Sequence, residues 1–259
     1  DPSSEFSNSI LLLPNVYETL TLWDPTANAA KPLLATSWSH TADGMNWTFV
    51  LRQNVTFHDG TPFNANAVKF SIFRTVYMNQ GASYIWAPLI GDYAYTLVAS
   101  SPKPWLTSAW ANFTADSLTV DNAYQVTFHL AYPAALDKIA SSGYGAYLFS
   151  PNLPPTVAPG GNVTTQFSQQ QSWFNDGHHD AGSGPYLVNT TLYKQANAVL
   201  DRYTGYWGGW KAGQVEHAII ETISSQAQRE QEVASGTADI TIDVPLADLA
   251  TLKSTTAVP

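Results

Sequence analysis

Few stretches of this sequence carry side chains that could do chemistry. His178 and His179 stand between Asp176 and Asp180, a run of imidazole and carboxylate donors of the type that binds metal ions. Neighbouring side chains diverge, however, so a histidine doublet rarely gives two ligands to one ion, and the run is expected to be a solvated loop. Gly182-Ser183-Gly184 has the outline of a nucleophile turn but lacks the G-x-S-x-G flanks, and before Pro185 it reads as a plain turn. H-E-x-x-H, the Walker lysine loop and G-x-G-x-x-G are absent from the sequence. Cys 0 removes a thiol nucleophile, a thiolate zinc site and a disulfide framework. A glycosidase-type carboxylate pair stays open, because spacing along the chain does not fix separation in space. Nothing singles out an enzyme, and neither a cofactor nor a metal is expected.

Aromatic side chains are the more prominent resource, with Trp 9 and Tyr 13. Tyr84, Trp86, Tyr93, Tyr95, Trp105, Trp110, Tyr144 and Tyr147 fall in turn-like or loop-like sequence. Such rings either pack a core or line a cleft, where their faces stack on sugars or peptide side chains; the sequence leaves both open. N-x-T triplets form a second pattern, at Asn46, Asn54, Asn112, Asn162 and Asn189. Chance supplies such triplets in a chain rich in Asn and Thr. Five, all with Thr, fit a glycosylated surface protein better.

The composition sets what can position these groups. The chain has 259 residues, enough for one large domain or two ordinary ones. Lys+Arg 11 against Asp+Glu 20 gives a net charge of −9, without the clustered basic excess that nucleic-acid binding requires. Charged residues make up only 12%, while 44% are hydrophobic, so a core is expected under a neutral polar surface. Such a surface suits an acidic exterior, where carboxylates lose charge. The longest apolar run, Ile10 to Leu13, is far too short to span a membrane. The sequence contains no secretory leader, so the chain is expected to begin either after processing or at an artificially chosen boundary.

Mixed α/β structure is predicted. Strands over 34–41 and 47–51 are joined across Asp43-Gly44, with Trp47, Phe49 and Leu51 on one face. After the turn at His58 to Pro62, Asn64 caps a helix to about Met78, with Phe63 stapled to Val68. A second hairpin joins 118–120 to 124–130 across Asp121-Asn122. Pro151 to Gly161 reads as a loop crossing between lobes. A helix over 226–235 has Ser225 and Gln228 as a capping box and ends at Gly236, and Ile240 and Ile242 alternate in a following strand.

Several of these stretches together resemble the bacterial extracellular solute-binding proteins of family 5, the binding proteins of peptide, nickel and oligosaccharide ABC importers. Asn15-Val16-Tyr17-Glu18-Thr19-Leu20 is similar to that family's N-x-Y-E-x-L segment. Leu34 to Trp38, Asp43-Gly44 and Trp47-Thr48-Phe49 resemble its LAxSW…DGxxWTF run. Val55 to Ala65 and Val68 to Ser71 match its VxFHDGTPFxA…VxFS block, with Asn66 where an acidic residue is usual. Gly182 to Tyr186 reads as GTGPY with Ser183 for Thr, Tyr206 to Gly209 as YWGG, and Glu232 to Ile240 as LxSGxxDI. Order and spacing hold over nearly the whole chain.

The resemblance implies a periplasmic-binding-protein-like fold (class C, type II) that closes on its ligand like a trap. Lobe I would be discontinuous, over residues 1–40 and 150–259, with lobe II inserted at 41–149. The opposite jaw lies beyond this sequence, which is expected to be the N-terminal half of a longer protein. The expected ligand wall is Glu5, Phe6 and Ser7, joined by Tyr84 and Trp86. The implied function is capture of oligopeptides or oligosaccharides for an ABC permease, outside the cytoplasm at a cell surface, through an anchor elsewhere. The alternative is a glycosylated structural or assembly protein on the same fold.

Overall fold

The computed structural model describes residues 1–3, 11–78, 83–90, 117–143, 145–154, 163–176, 179–192 and 197–255. They fall into two compact units, 1–219 and 220–259. In chain order, the first contains α1 (Leu13–Val16), β1 (Thr21–Asp24), β2 (Ala29–Pro32), β3 (Ala35–His40), β4 (Asn46–Leu51), α2 (Ala65–Met78) and α3 (Ser83–Trp86). It continues with β5 (Leu118–Asn122), β6 (Gln125–His129), α4 (Leu136–Ile139), α5 (Val163–Asn175), β7 (Tyr186–Val188), β8 (Asn197–Arg202) and β9 (His217–Glu221), at whose middle the first unit ends. The second contains α6 (Gln226–Ser235) and α7 (Leu246–Thr255).

The central layer is a four-stranded antiparallel sheet in the order β3-β4-β6-β5. Gly44, at φ +69°, makes the β3–β4 turn, and the Asp43 carboxylate accepts from the Met45 amide at 2.9 Å. That hairpin spans residues 40 and 41, where the sequence places a lobe boundary. Strand alternation sends Trp47, Phe49, Leu51, Val126, Phe128 and Leu118 inward and leaves Val50 exposed. Phe49 meets Phe128 edge-on at 5.7 Å, and the Trp86 ring stacks on Phe128 at 5.6 Å.

Helix α2 covers the inner face with Val68, Ile72 and Val76, all buried. Its start is fixed as expected: the Asn64 side-chain oxygen accepts from the amides of Asn66 and Ala67 at 2.9 and 3.2 Å. A cap of this type contributes about 1 kcal/mol. Phe63 and Val68 lie in the same buried cluster. β7, β8 and β9 form a second sheet, in that order, and β1 pairs with β2.

Helix α6 keeps only half of its predicted capping box. Ser225 Oγ accepts from the Gln228 amide at 3.3 Å, but the Gln228 side chain donates to Glu232 instead of returning to the cap. Gly236 ends the helix at φ +76°. The predicted strand at Ile240 and Ile242 does not form. An extended segment becomes a strand only against a neighbour, and among the described residues none pairs with it; Ile240 is 83% exposed. Most of the Pro151–Gly161 loop lies outside the described residues.

One buried ion pair ties the start of the chain to this frame. Arg74, on α2, grips the Asp1 carboxylate with both terminal nitrogens, at 2.9 and 2.7 Å. It also donates to Ser3 Oγ at 2.7 Å and to Gln170 on α5 at 3.2 Å. The two charged side chains are 0% and 1% exposed. Burial lowers the Arg74 pKa to about 9, which leaves the guanidinium charged at neutral pH. Removing one member of such a pair strands the other in low dielectric. Arg74→Met is therefore expected to lower unfolding free energy by about 3–5 kcal/mol in urea titrations. The Asp1→Asn/Arg74→Met double variant is expected to recover part of that loss.

Candidate functional site

The expected ligand loop, Glu5, Phe6 and Ser7, lies outside the described residues, but both of its roots are described. On one side, Pro2 and Ser3 are buried beside the Arg74–Asp1 pair. On the other, Asn15 donates from its side chain to the Leu11 carbonyl at 2.8 Å and α1 follows. Tyr84, on α3, is 62% exposed and faces solvent. Trp86, two residues on, is 0% exposed and spends its indole N–H on the Gly145 carbonyl at 2.8 Å. The two are therefore split: Tyr84 is exposed to solvent, whereas Trp86 is spent in the core against Phe128 and Gly145. Tyr147 is also buried. Of the N-x-T asparagines, Asn46, Asn54 and Asn189 are described, whereas Asn112 and Asn162 are not.

Next to α1 lies a polar centre that the sequence did not reveal as one. Glu18 is buried, and its carboxylate accepts from Ser183 Oγ at 2.8 Å, Tyr206 Oη at 3.2 Å and the Trp207 indole at 2.9 Å. Burial raises its pKa above the ordinary 4.5, outweighing the donors from Trp207, Ser183 and Tyr206. The Arg52 guanidinium lies 4.1 Å over the Trp207 ring and donates from Nε to the Leu33 carbonyl. Tyr206 responds in the same sense: burial first, then Glu18, raises its phenol well above 10.

The Gly-Ser-Gly segment is thus not a plain turn. It runs so close to α1 that a Cβ on Gly182 would sit 1.8 Å from the Val16 carbonyl oxygen, and one on Gly184 would sit 2.7 Å from that of Asn15. The contact brings Ser183, fully buried, onto Glu18.

His58, from the His-Asp-Gly-Thr-Pro turn, anchors the same segment. Its Nδ1 pairs with the Asp180 carboxylate and its Nε2 lies 2.9 Å from the Gly184 carbonyl. Both partners only accept, so the ring satisfies both at once only as an imidazolium. Burial opposes that charge, but the hydrogen bond and charge of Asp180 prevail and the His58 pKa is raised above 6.5. Asp180 also accepts from the Val188 amide at 2.7 Å, and Tyr203 meets the His58 ring edge-on at 4.7 Å. The arrangement contains a histidine, an aspartate and a serine, yet it is no triad. Ser183 bonds Glu18 rather than His58, and both His58 nitrogens are engaged by Asp180 and Gly184, so the histidine is not placed to take a proton from that serine.

Of the histidine-rich run, His178 lies outside the described residues. His179 stacks on Trp173 at 4.6 Å and pairs with Asp176 at 3.5 Å. Among the described residues, no group of three or more His, Cys, Asp or Glu is placed to hold a metal ion, and no helix is long and apolar enough to cross a membrane.

This geometry has known counterparts. The profile of the family described as bacterial extracellular solute-binding proteins, family 5 Middle, matches residues 29–259. The chain is 27% identical over 207 residues to the nickel-binding periplasmic protein of Escherichia coli, covering 80% of this chain and 31% of that protein. It is 28% identical over 219 residues to the peptide transport periplasmic protein SapA of Haemophilus influenzae, covering 76% of this chain and 35% of that one. Among solved structures, OppA of Burkholderia pseudomallei superposes with a TM-score of 0.75 at 14% identity, over 98% of this chain and 45% of that one, which shows the fold. The chain spans about a third of the length of these curated relatives. It belongs to the family-5 solute-binding proteins.

Linkage gives the two buried titrating groups the same sign. His58, raised, contributes stability that is complete below pH 6.5 and lost as pH rises through its folded pKa. For Glu18, also raised, the folded state holds its proton longer than the unfolded chain, so stability again falls as pH rises from 4.5 through the folded value. The buried α-amino group of Asp1, lowered to about 5, acts in the opposite sense between 5 and 8, so the two groups are read by difference. In denaturant titrations at stepped pH, the stability of the wild type relative to His58→Gln is expected to decline above pH 6.5, and that relative to Glu18→Gln to decline from 4.5 upward. A difference that grows with pH over either window would contradict the assignment.

Proposed function

We propose that this chain forms one wall of the cleft in an extracytoplasmic solute-binding protein of an ABC importer, and that the whole protein captures oligopeptides or oligosaccharides for a membrane permease. The observation that carries this reading is the family match over residues 29–259. The geometry agrees with it: the buried carboxylate and imidazole are consumed by the protein's own donors and acceptors, which suits a rigid binding frame. Relatives named for peptide transport and for nickel binding match this chain over 76% and 80% of its length. The periplasmic names of those relatives support a location outside the cytoplasm; attachment at the cell surface through an anchor outside this chain is part of the proposal. Lobe I over 1–40 and 150–259, with lobe II between, remains our proposed division, and the facing jaw would come from a C-terminal half of the same protein.

In this reading Glu5, Phe6 and Ser7 form the ligand loop, its root set by Arg74, while Tyr84 offers an exposed ring and Trp86 packs the core instead of meeting the ligand. The scarcity of charge favours ligands recognised by stacking and neutral hydrogen bonds. One wall by itself should bind weakly, since one-sided burial must still offset the entropy of immobilising the ligand. A second reading, a glycosylated structural or assembly protein of the cell surface, is favoured by the five N-x-T triplets and low charge.

Calorimetric titration of the full-length protein with short peptides and with oligosaccharides separates the two. Saturable binding of either class is expected, with Tyr84→Ala weakening it about tenfold, or about 1.4 kcal/mol. Stable polymers in size-exclusion chromatography, unaltered by either ligand class and without any heat of binding, would establish the structural reading instead.

A further inference from the structure

We infer that Asn54 is a site of N-linked glycosylation, and that the sugar is attached before the surrounding segments fold together. The inference rests on the extracytoplasmic reading above, because the N-x-T acceptor is used in surface loops of exported proteins. Three of the five triplets have described asparagines, and the structure treats them differently.

Asn189 is half-buried and fully engaged. Its side-chain nitrogen donates to Asp201, and its oxygen accepts from the amides of Thr191 and Leu192 at 3.0 and 2.9 Å. Asn46 begins β4 opposite His129 and bonds that ring through its oxygen at 2.7 Å. Asn54 lies just past β4, exposed, at φ +61°, a left-handed conformation that asparagine tolerates better than most residues. No hydrogen bond engages its carboxamide among the described residues. A glycan there extends into water and displaces no existing contact.

The third residue of the triplet sets the timing. Thr56 Oγ1 lies 3.0 Å from Tyr203 Oη, a partner 147 positions later in the chain. Thr56 is half-buried in the folded unit, so the hydroxyl by which a transferase recognises the triplet is open only until the Tyr203 segment docks. The chemistry requires an oligosaccharide linked through a diphosphate to a polyprenyl lipid. The Asn54 carboxamide nitrogen attacks the anomeric carbon and a C–N bond forms. The bond from that carbon to the diphosphate oxygen breaks, and the lipid diphosphate leaves with the electron pair. One amide proton passes to a base of the transferase.

The test is glycopeptide mass spectrometry on the protein purified from its own cells, alongside Asn54→Gln and Asn189→Gln. The peptide containing Asn54 is expected to carry a sugar increment in the wild type that disappears in Asn54→Gln, while the Asn189 peptide is bare. A second arm offers unmodified protein, native or urea-unfolded, to membranes holding the transferase and its lipid-linked donor. The unfolded chain should be modified at least about tenfold faster. A bare Asn54 in the native protein overturns the site, and equal rates on folded and unfolded chain overturn the timing. Calorimetry on the same material keeps the readings apart: solute binding with a bare Asn54 sinks this inference alone, whereas glycan without solute binding sinks only the importer reading.

Discussion

A carboxyl group cannot leave water without donors to receive it, and an unpaired one costs several kcal/mol. Glu18 is where this chain meets that constraint. The three donors come from Ser183, Tyr206 and Trp207, more than 160 positions away. Each must arrive in the right place for the carboxyl to be tolerated, so the acid acts as a register mark joining the two ends of the first unit. Arg52, stacked on Trp207, extends the mark to the end of β4. His58 performs the complementary task with opposite charge, tying the turn after β4 to Asp180 and Gly184.

Close backbone approach makes these long-range contacts possible. Gly182 and Gly184 let the segment lie directly on the Asn15 and Val16 carbonyls, where any Cβ would collide. The Gly184 amide then donates to the Val16 carbonyl at 2.9 Å. Without that contact, Ser183 would not reach Glu18. Three of the family-like stretches, NVYETL, GSGPY and YWGG, are thus parts of one hydrogen-bonded centre, with Arg52 stacked above it.

What the sequence revealed followed from local rules, and what it hid depended on distant ones. The two hairpins, the Asn64 cap and the Gly236 stop are set by neighbours within a few residues, so turn chemistry and alternation were enough. Helix α5 escaped because its buried stripe contains a polar residue: Phe167 and Phe174 flank Gln170, which is fully buried to accept from Arg74. Arg74 itself sits in the buried face of α2, where a charge reads as exposed until its partners at Asp1 and Ser3 are known. Ile240 and Ile242 show the converse failure, since alternation predicts a strand but cannot supply the neighbour that makes one. At the candidate site, sequence alone could not separate Tyr84 from Trp86, because two aromatics two residues apart differ only in which way the short helix turns them.

The same accounting bears on what sort of protein this is. A catalytic group must keep one face open to the reacting molecule, with a neighbour able to take or give a proton. Among the described residues, Glu18 and His58 are buried groups of the type that does acid–base work, and each has its bonding capacity turned inward. A binding wall needs the reverse: a stiff interior whose polar groups are satisfied within it, and recognition carried by residues on loops that the interior holds in place. The Arg74 fork beside Ser3 and the Trp86 ring locked on Phe128 and Gly145 fit the interior half of that division of labour. Rigidity at the roots lowers the entropy a ligand must overcome when it settles on such a wall. In the reading proposed above, saturated buried polar groups would follow from one requirement, that a binding wall hold its shape whether or not a ligand is present.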